Sequence, residues 1–151
     1  GLHGRNSAHV HLLATKVTNN QAPTGGGIYM DNGVLELDRS TVATNGQSLY
    51  VMNSTEVDLN SSILWEDGTG QAVASNSSQS IPGTVVYSIV DGDELGDDET
   101  VLHLDPLFRD AASGDHGVES DSPAIDSGDP SLEPDPDGSA PDMGSHPFLG
   151  L

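Results

Sequence analysis

Four segments of the chain repeat one pattern. They are Val10-His11-Leu12-Leu13-Ala14-Thr15-Lys16-Val17, Leu35-Glu36-Leu37-Asp38-Arg39-Ser40-Thr41-Val42, Val57-Asp58-Leu59-Asn60-Ser61-Ser62-Ile63-Leu64 and Gly83-Thr84-Val85-Val86-Tyr87-Ser88-Ile89-Val90. Each reads apolar-x-apolar-x-x-Ser/Thr-x-apolar, except that Gly83 replaces the first apolar residue of the last copy. Successive copies start 25, 22 and 26 residues apart. The apolar-x-apolar pair has the period of a strand with one buried face. The small hydroxyl that follows suits a bend. Between copies lie shorter alternating runs, Ile28-Tyr29-Met30, Leu49-Tyr50-Val51 and Ala72-Val73-Ala74, with Gly and Asn around them as corner residues.

Such a repeat, with short strands and no helical spacing, describes one coil of a parallel β-solenoid. A single coil cannot bury its apolar face, whereas stacked coils bury a continuous column. Neighbouring strands about 4.8 Å apart then place Leu12, Leu37, Leu59 and Val85 in one interior ladder. Thr15, Ser40, Ser62 and Ser88 form a second, and Tyr29 stacks over Tyr50 on the outside. The expected fold is all-β: about four short coils over residues 1–104, then an acidic, loop-rich cap over 105–151 in the same domain, packed on the open end. Only Pro106 to Ala112 has room for a turn or two of helix.

Composition narrows the function. The 151 residues carry 24 acidic and 4 basic side chains, a net charge of −20. Residues 1–90 hold 7 acidic and 3 basic, net −4; residues 91–151 hold 17 acidic and 1 basic, net −16. Six of the nine Pro lie between Pro123 and Pro147, so the last part reads as loops. This balance argues against nucleic acid and anionic membranes as partners, because both need Lys and Arg. No apolar run is long enough for a membrane-spanning helix. Without Cys, thiol nucleophiles and Cys-ligated zinc are excluded. A start at Gly1 suggests a processed chain or an excised fragment.

Gly25-Gly26-Gly27-Ile28-Tyr29, the run Val34 to Val42 and Asn45-Gly46 resemble the repeat of right-handed parallel β-helix proteins with the pectin-lyase-like fold. Four further pieces resemble, in order, the closing segment of secreted bacterial or archaeal members. They are Asp105-Pro106-Leu107-Phe108, Ser122 to Pro130, Asp135-Pro136-Asp137-Gly138 and Asp142-Met143-Gly144. Ser145-His146 departs from that pattern, which commonly has a small residue and an aromatic there. The resemblance implies right-handed winding, an extracellular or cell-surface setting and membership of a longer β-helix or a monomer. It leaves activity open, since this fold hosts lyases, hydrolases, adhesins and scaffolds.

Several side-chain sets carry candidate chemistry. Lyase action on acidic sugars needs cations, and the only ones are Arg5, Lys16, Arg39 and Arg109. Arg39 beside Asp38 reads as a surface ion pair. Inverting glycoside hydrolysis needs two carboxyls roughly 6.5–9.5 Å apart. In-register stacking puts His11, Glu36 and Asp58 on one outward ladder, with Asp38 and Asn60 two residues along. Glu36, Asp58 and Asp38 are therefore the catalytic candidates; their alternative reading is ordinary surface acidity. His9 and His11 share one side of a strand and with Glu36 could hold zinc or copper. Calcium fits better at Asp135, Asp137 and Asp142, with Asp129 nearby, because hard cations take carboxylate and loop-carbonyl oxygens. Asp91-Gly92-Asp93-Glu94 and Asp97-Asp98-Glu99 form a second acidic cluster, which otherwise reads as solvated loops.

The expected function is a non-catalytic extracellular β-helix module, structural or contacting a polysaccharide. The alternatives are a carbohydrate-active hydrolase and a His-based metal-binding protein. The charge points to a high-salt habitat, where screening weakens self-repulsion. Multimolar salt should therefore raise the melting temperature relative to dilute buffer. Equal melting temperatures would remove the halophilic reading.

Overall fold

A computed structural model describes residues 1–68, 71–96 and 98–150. Its elements are β1 (Leu2–Leu13), β2 (Lys16–Thr18), β3 (Ile28–Asp38), β4 (Thr41–Ala43), β5 (Leu49–Met52), β6 (Glu56–Asn60), β7 (Ile63–Trp65), β8 (Val73–Ser75), β9 (Val85–Val86), β10 (Ile89–Val90), β11 (Phe108–Asp110), a 3₁₀ turn (Ala111–Ser113) and β12 (Asp115–Val118). All strands up to β10 pair in parallel, as a β-solenoid of about three turns.

The coils have three strand-bearing faces. Leu2–Arg5 of β1, Ile28–Asp31 of β3, β5 and β8 make the first. Ala8–Leu13, Val34–Asp38, β6 and β9 make the second. The third is β2-β4-β7-β10. β1 and β3 each bend through two faces, at Asn6-Ser7 and at Asn32, all three residues with positive φ. The expected ladder Leu12–Leu37–Leu59–Val85 is present in register. Tyr29 stacks on Tyr50 with ring centroids 5.7 Å apart.

The interior is one aliphatic column of Ile28, Met30, Leu35, Leu37, Val42, Leu49, Val57, Leu59 and Leu64, each at most 1% exposed. Burying each such side chain contributes roughly 1.5–3 kcal/mol.

Where the second face meets the third, one residue per coil takes the left-handed conformation: Ala14, Arg39, Ser61 and Tyr87, at φ 45, 45, 50 and 46°. Each precedes a hydroxyl of the predicted ladder. The N–H of Thr15 donates to Ser40 Oγ, that of Ser40 to Ser62 Oγ, and that of Ser62 to Ser88 Oγ, each at 3.1 Å. Ser40, Ser62 and Ser88 in turn donate to the carbonyl two residues back, at 3.0, 3.0 and 2.8 Å. The corner after the third face uses longer side chains. The N–H groups of Asn20, Asn45 and Glu66 donate to Asn45 Oδ1, Glu66 Oε1 and Asp91 Oδ2 at 3.0, 3.1 and 3.4 Å.

Two expectations are corrected. The solenoid has about three turns instead of four, because the last copy supplies only the two-residue strands β9 and β10. Gly83, at φ 135°, lies so close to the Val57 carbonyl that a Cβ would overlap it, and no strand begins there. The acidic tail also does not sit on an open end. Leu95 and Val101, from the segment after β10, pack into the interior column at that end. The tail lies along the flank of the third face instead. The outward side chains Ala43, Ile63, Trp65 and Ile89 pack with Val118, Ala124 and Met143 in a second core. β4 and β7 are thus buried on both sides. Gly144 N–H donates to Ser61 O at 2.7 Å, Ser145 N–H to Thr41 Oγ1 at 3.0 Å and Asp129 N–H to Ser61 Oγ at 2.9 Å. A charged cap could not have filled an apolar end, whereas an apolar sheet face needs a cover. Pro106 to Ala112, the one segment with room for a turn or two of helix, forms β11 and runs into the 3₁₀ turn. Asp110 accepts the Ser113 N–H, and Gly114 ends the turn at φ 90°.

Ser62→Ala strands the buried Ser40 N–H and should lower unfolding free energy by about 1–3 kcal/mol. Thr15→Ala, whose hydroxyl meets no N–H among the described residues, should change it by less than about 0.5 kcal/mol. Denaturant melts of the two variants measure the difference.

Candidate functional site

The alternation that sends Leu37 and Leu59 inward sends their neighbours out. His11, Glu36 and Asp58 are consecutive partners across the second face, and Asp38 pairs with Asn60. With Thr84 and Val86 they line a shallow groove of about 250 Å³. The structure therefore brings the predicted His11, Glu36, Asp58 and Asp38 together.

Most polar groups in the groove are also tied within the fold. Glu36 Oε1 meets His9 Nε2 at 3.1 Å, and Oε2 lies 3.9 Å from His11 Nδ1. Asp58 Oδ1 accepts the Thr84 N–H at 2.7 Å, which holds the next coil in place. Asn60 Nδ2 donates to Asp129 Oδ2 at 3.1 Å, joining the groove to the tail. Asp38 Oδ1 faces Arg39 Nε at 3.8 Å; both atoms are buried and neither has a hydrogen-bond partner among the described residues.

The carboxylates picked out for calcium have separate tasks. Asp137 Oδ1 accepts from the Ser139 N–H and hydroxyl, which holds its pKa below the usual carboxylate value. Asp135 Oδ2 accepts the Asp142 N–H at 3.0 Å. Asp142 is buried; its two oxygens accept from Asp126 N–H at 2.7 Å and Phe148 N–H at 2.5 Å. Burial pushes the pKa of Asp142 up, and burial with the nearby Asp142 charge does the same to Asp135. Asp129 accepts from the Ser131 N–H, and its pKa is lowered by that contact first. Asp142 thus works as a staple for the tail. Among the described residues no group of three or more His, Asp or Glu is arranged to hold a metal ion. In the second acidic cluster Asp91 is buried and accepts the Gly68 N–H, while Asp98 accepts from the Thr100 N–H and hydroxyl. Asp97 lies outside the described residues.

Two structural residues escape the repeat pattern. Glu66 accepts from Asn45 N–H, Gly46 N–H and Ser48 Oγ, and burial raises its pKa. A carbonyl-bearing side chain recurs at 20, 45, 66 and 91, a signal as regular as the hydroxyl ladder. His116 is buried against Phe108, with Nε2 2.9 Å from Thr44 Oγ1 and Nδ1 3.2 Å from Gly114 O. It pins the β11–β12 hairpin to the solenoid, and no local pattern marks it. A second cavity, of about 320 Å³, lies between this hairpin and the last residues, lined by Arg109, Val118, His146 and Phe148. Arg109 is already paired with Asp115 at 3.1 Å.

Compared with known proteins, the chain matches no family model, no curated protein and no solved structure. No helix among the described residues is long and apolar enough to cross a membrane.

Burial lowers the His116 pKa from its ordinary 6.5. The unfolded chain therefore binds a proton more readily, and this contribution to stability is complete above about pH 6.5 and lost as pH falls below it. Unfolding free energy should fall between about pH 7 and pH 5, and His116→Gln should flatten that slope. An unchanged slope in the variant would reject the assignment.

Proposed function

We propose that this chain is a non-catalytic β-solenoid module of an extracellular or cell-surface protein, of the pectin-lyase-like type, whose outer groove contacts a polysaccharide. The observation that carries the reading is the groove on the second face. Hydrogen-bonding side chains recur there at the coil spacing, on His11, Glu36, Asp58, Asn60 and Thr84. An extended chain of sugar hydroxyls offers complementary donors and acceptors along one line.

The same contacts speak against catalysis. A general acid or base needs a carboxyl free to exchange a proton with substrate. Asp58 instead holds the Thr84 N–H, and Glu36 is shared between two imidazoles. The negative charge of the chain favours neutral or amino sugars over uronates. Salt adaptation belongs to this reading, because a chain so poor in Lys and Arg is best served by strong screening.

Affinity electrophoresis against neutral, amino-sugar and uronate polysaccharides tests it, with reducing-end release measured in parallel. Retardation by a neutral or amino-sugar polymer without new reducing ends is expected. Glu36→Ala, at a half-exposed position, should weaken retardation by about fivefold or more while moving the melting temperature little. Reducing ends released by the native chain and lost in Glu36→Gln would overturn the reading in favour of a hydrolase.

A further inference from the structure

Three Asn of the chain stand two residues before a hydroxyl: Asn53-Ser54-Thr55, Asn60-Ser61-Ser62 and Asn76-Ser77-Ser78. Asn-x-Ser/Thr, with no Pro between, is the acceptor pattern for N-linked sugar. A transferase must reach both the Asn amide and the hydroxyl. On a folded chain the pattern therefore counts only where both lie at the surface, as in an open loop. The solenoid treats the three copies differently.

Two of them are engaged in the fold. Asn60 is half-buried and its Nδ2 donates to Asp129 Oδ2 at 3.1 Å. Its hydroxyl, on Ser62, is buried and accepts the Ser40 N–H within the ladder. Asn53 is exposed, but its Nδ2 donates to Asp31 Oδ1 at 2.5 Å. Its hydroxyl, on Thr55, is 1% exposed, donates to Met52 O and accepts the Asn32 N–H.

The third copy is presented. Asn76, Ser77 and Ser78 are all exposed, in the loop that joins β8 to β9. The Asn53 N–H donates to Asn76 Oδ1 at 3.2 Å. This donor requires the amide oxygen at the corner, which leaves Nδ2 on the other side of the amide, without a hydrogen-bond partner among the described residues. The loop is shaped by other hydroxyls: Ser75 and Ser77 Oγ accept the N–H groups of Ser77 and Gln79, both at 3.0 Å. The Ser78 hydroxyl is not used in this way. A cavity of about 530 Å³ beside it, lined by Ser75, Ser77, Ser78, Gln79 and Ile81 among others, leaves room for a sugar against the protein.

We propose that Asn76 is the acceptor of an N-linked glycan, attached to the folded chain, and that the fold shields Asn53 and Asn60 from the same reaction. The inference rests on the extracellular reading, because such acceptors are surface loops of secreted proteins. The sugar donor is an oligosaccharide carried on a lipid phosphate or diphosphate, brought to the loop by a membrane transferase. Asn76 Nδ2 bonds to the sugar C1 and the C1–O bond to phosphate breaks. The lipid phosphate leaves with the electron pair, and one Nδ2 proton passes to a base of the transferase. The contact to the Asn53 N–H survives, because it uses Oδ1 alone.

The full folded chain is incubated with lipid-linked oligosaccharide and an oligosaccharyltransferase chosen because it glycosylates free peptides of residues 49–59, 56–66 and 72–82 alike. Peptide mass mapping then locates the sugar. One glycan is expected, on Asn76. Asn76→Gln and Ser78→Ala should each abolish it, and Ser78→Thr should keep it. A bare Asn76, or a glycan on Asn53 or Asn60, overturns the proposal. The chain isolated from the cells that make it should carry its glycan at the same residue. A bare Asn76 on chain recovered outside the cells overturns the proposal and leaves the extracellular reading standing, whereas chain found only in the cytoplasm overturns both.

Discussion

Every coil must turn corners, and at a corner the backbone leaves the sheet while its N–H groups still need acceptors. An unsatisfied buried donor costs about 1–3 kcal/mol, and a solenoid repeats that exposure in each turn. The chain answers with side-chain oxygens held one coil further on. Hydroxyls do this beside the second face, at Ser40, Ser62 and Ser88. Longer carbonyl groups do it after the third, at Asn45, Glu66 and Asp91. The first corner uses Thr55 Oγ1 for the Asn32 N–H and Asn76 Oδ1 for the Asn53 N–H, both at 3.2 Å. These contacts fix the register between coils, and register in turn sets which side chains form the column and which line the groove. A slip by one residue would exchange the two sets.

The acidic tail follows from the same geometry. The third face carries apolar residues on its outer surface and would be a sticky sheet in water. The tail covers it with the apolar side chains of Val118, Ala124 and Met143 and with three hydrogen bonds from its backbone N–H groups to Ser61 and Thr41. Its abundant Asp residues mostly accept from nearby N–H groups and hydroxyls, as at Asp129, Asp137 and Asp142. They shape turns in a segment that has little regular structure to do so.

The coil region was legible because its signal is periodic. Leu12, Leu37, Leu59 and Val85 could be aligned by pattern alone, and with them the outward row of His11, Glu36 and Asp58. The tail was harder to read because its contacts are long-range and aperiodic: Ser145 meets Thr41 across 104 residues, and His116 meets Thr44 across 72. The consecutive apolar residues Ile63-Leu64-Trp65 did carry a clue. Three in a row on a strand means both faces are covered, so something had to lie on the outside of β7. What the groove engages could not be read from spacing, because Glu36 and Asp58 have the same register whether they serve a ligand or the next coil.

Trp65, the only tryptophan of the chain, stands on the outer side of β7 at 8% exposure, inside the second core. The main column contains no aromatic side chain. The two layers of the protein therefore differ in what light they absorb and emit. Indole fluorescence reports only whether the tail is seated, while far-ultraviolet dichroism reports whether the coils persist. A partly opened state, with the flank bared and the solenoid whole, would register as a change in one signal without the other. Whether this chain unfolds as one cooperative unit or as two is thus readable without adding any label.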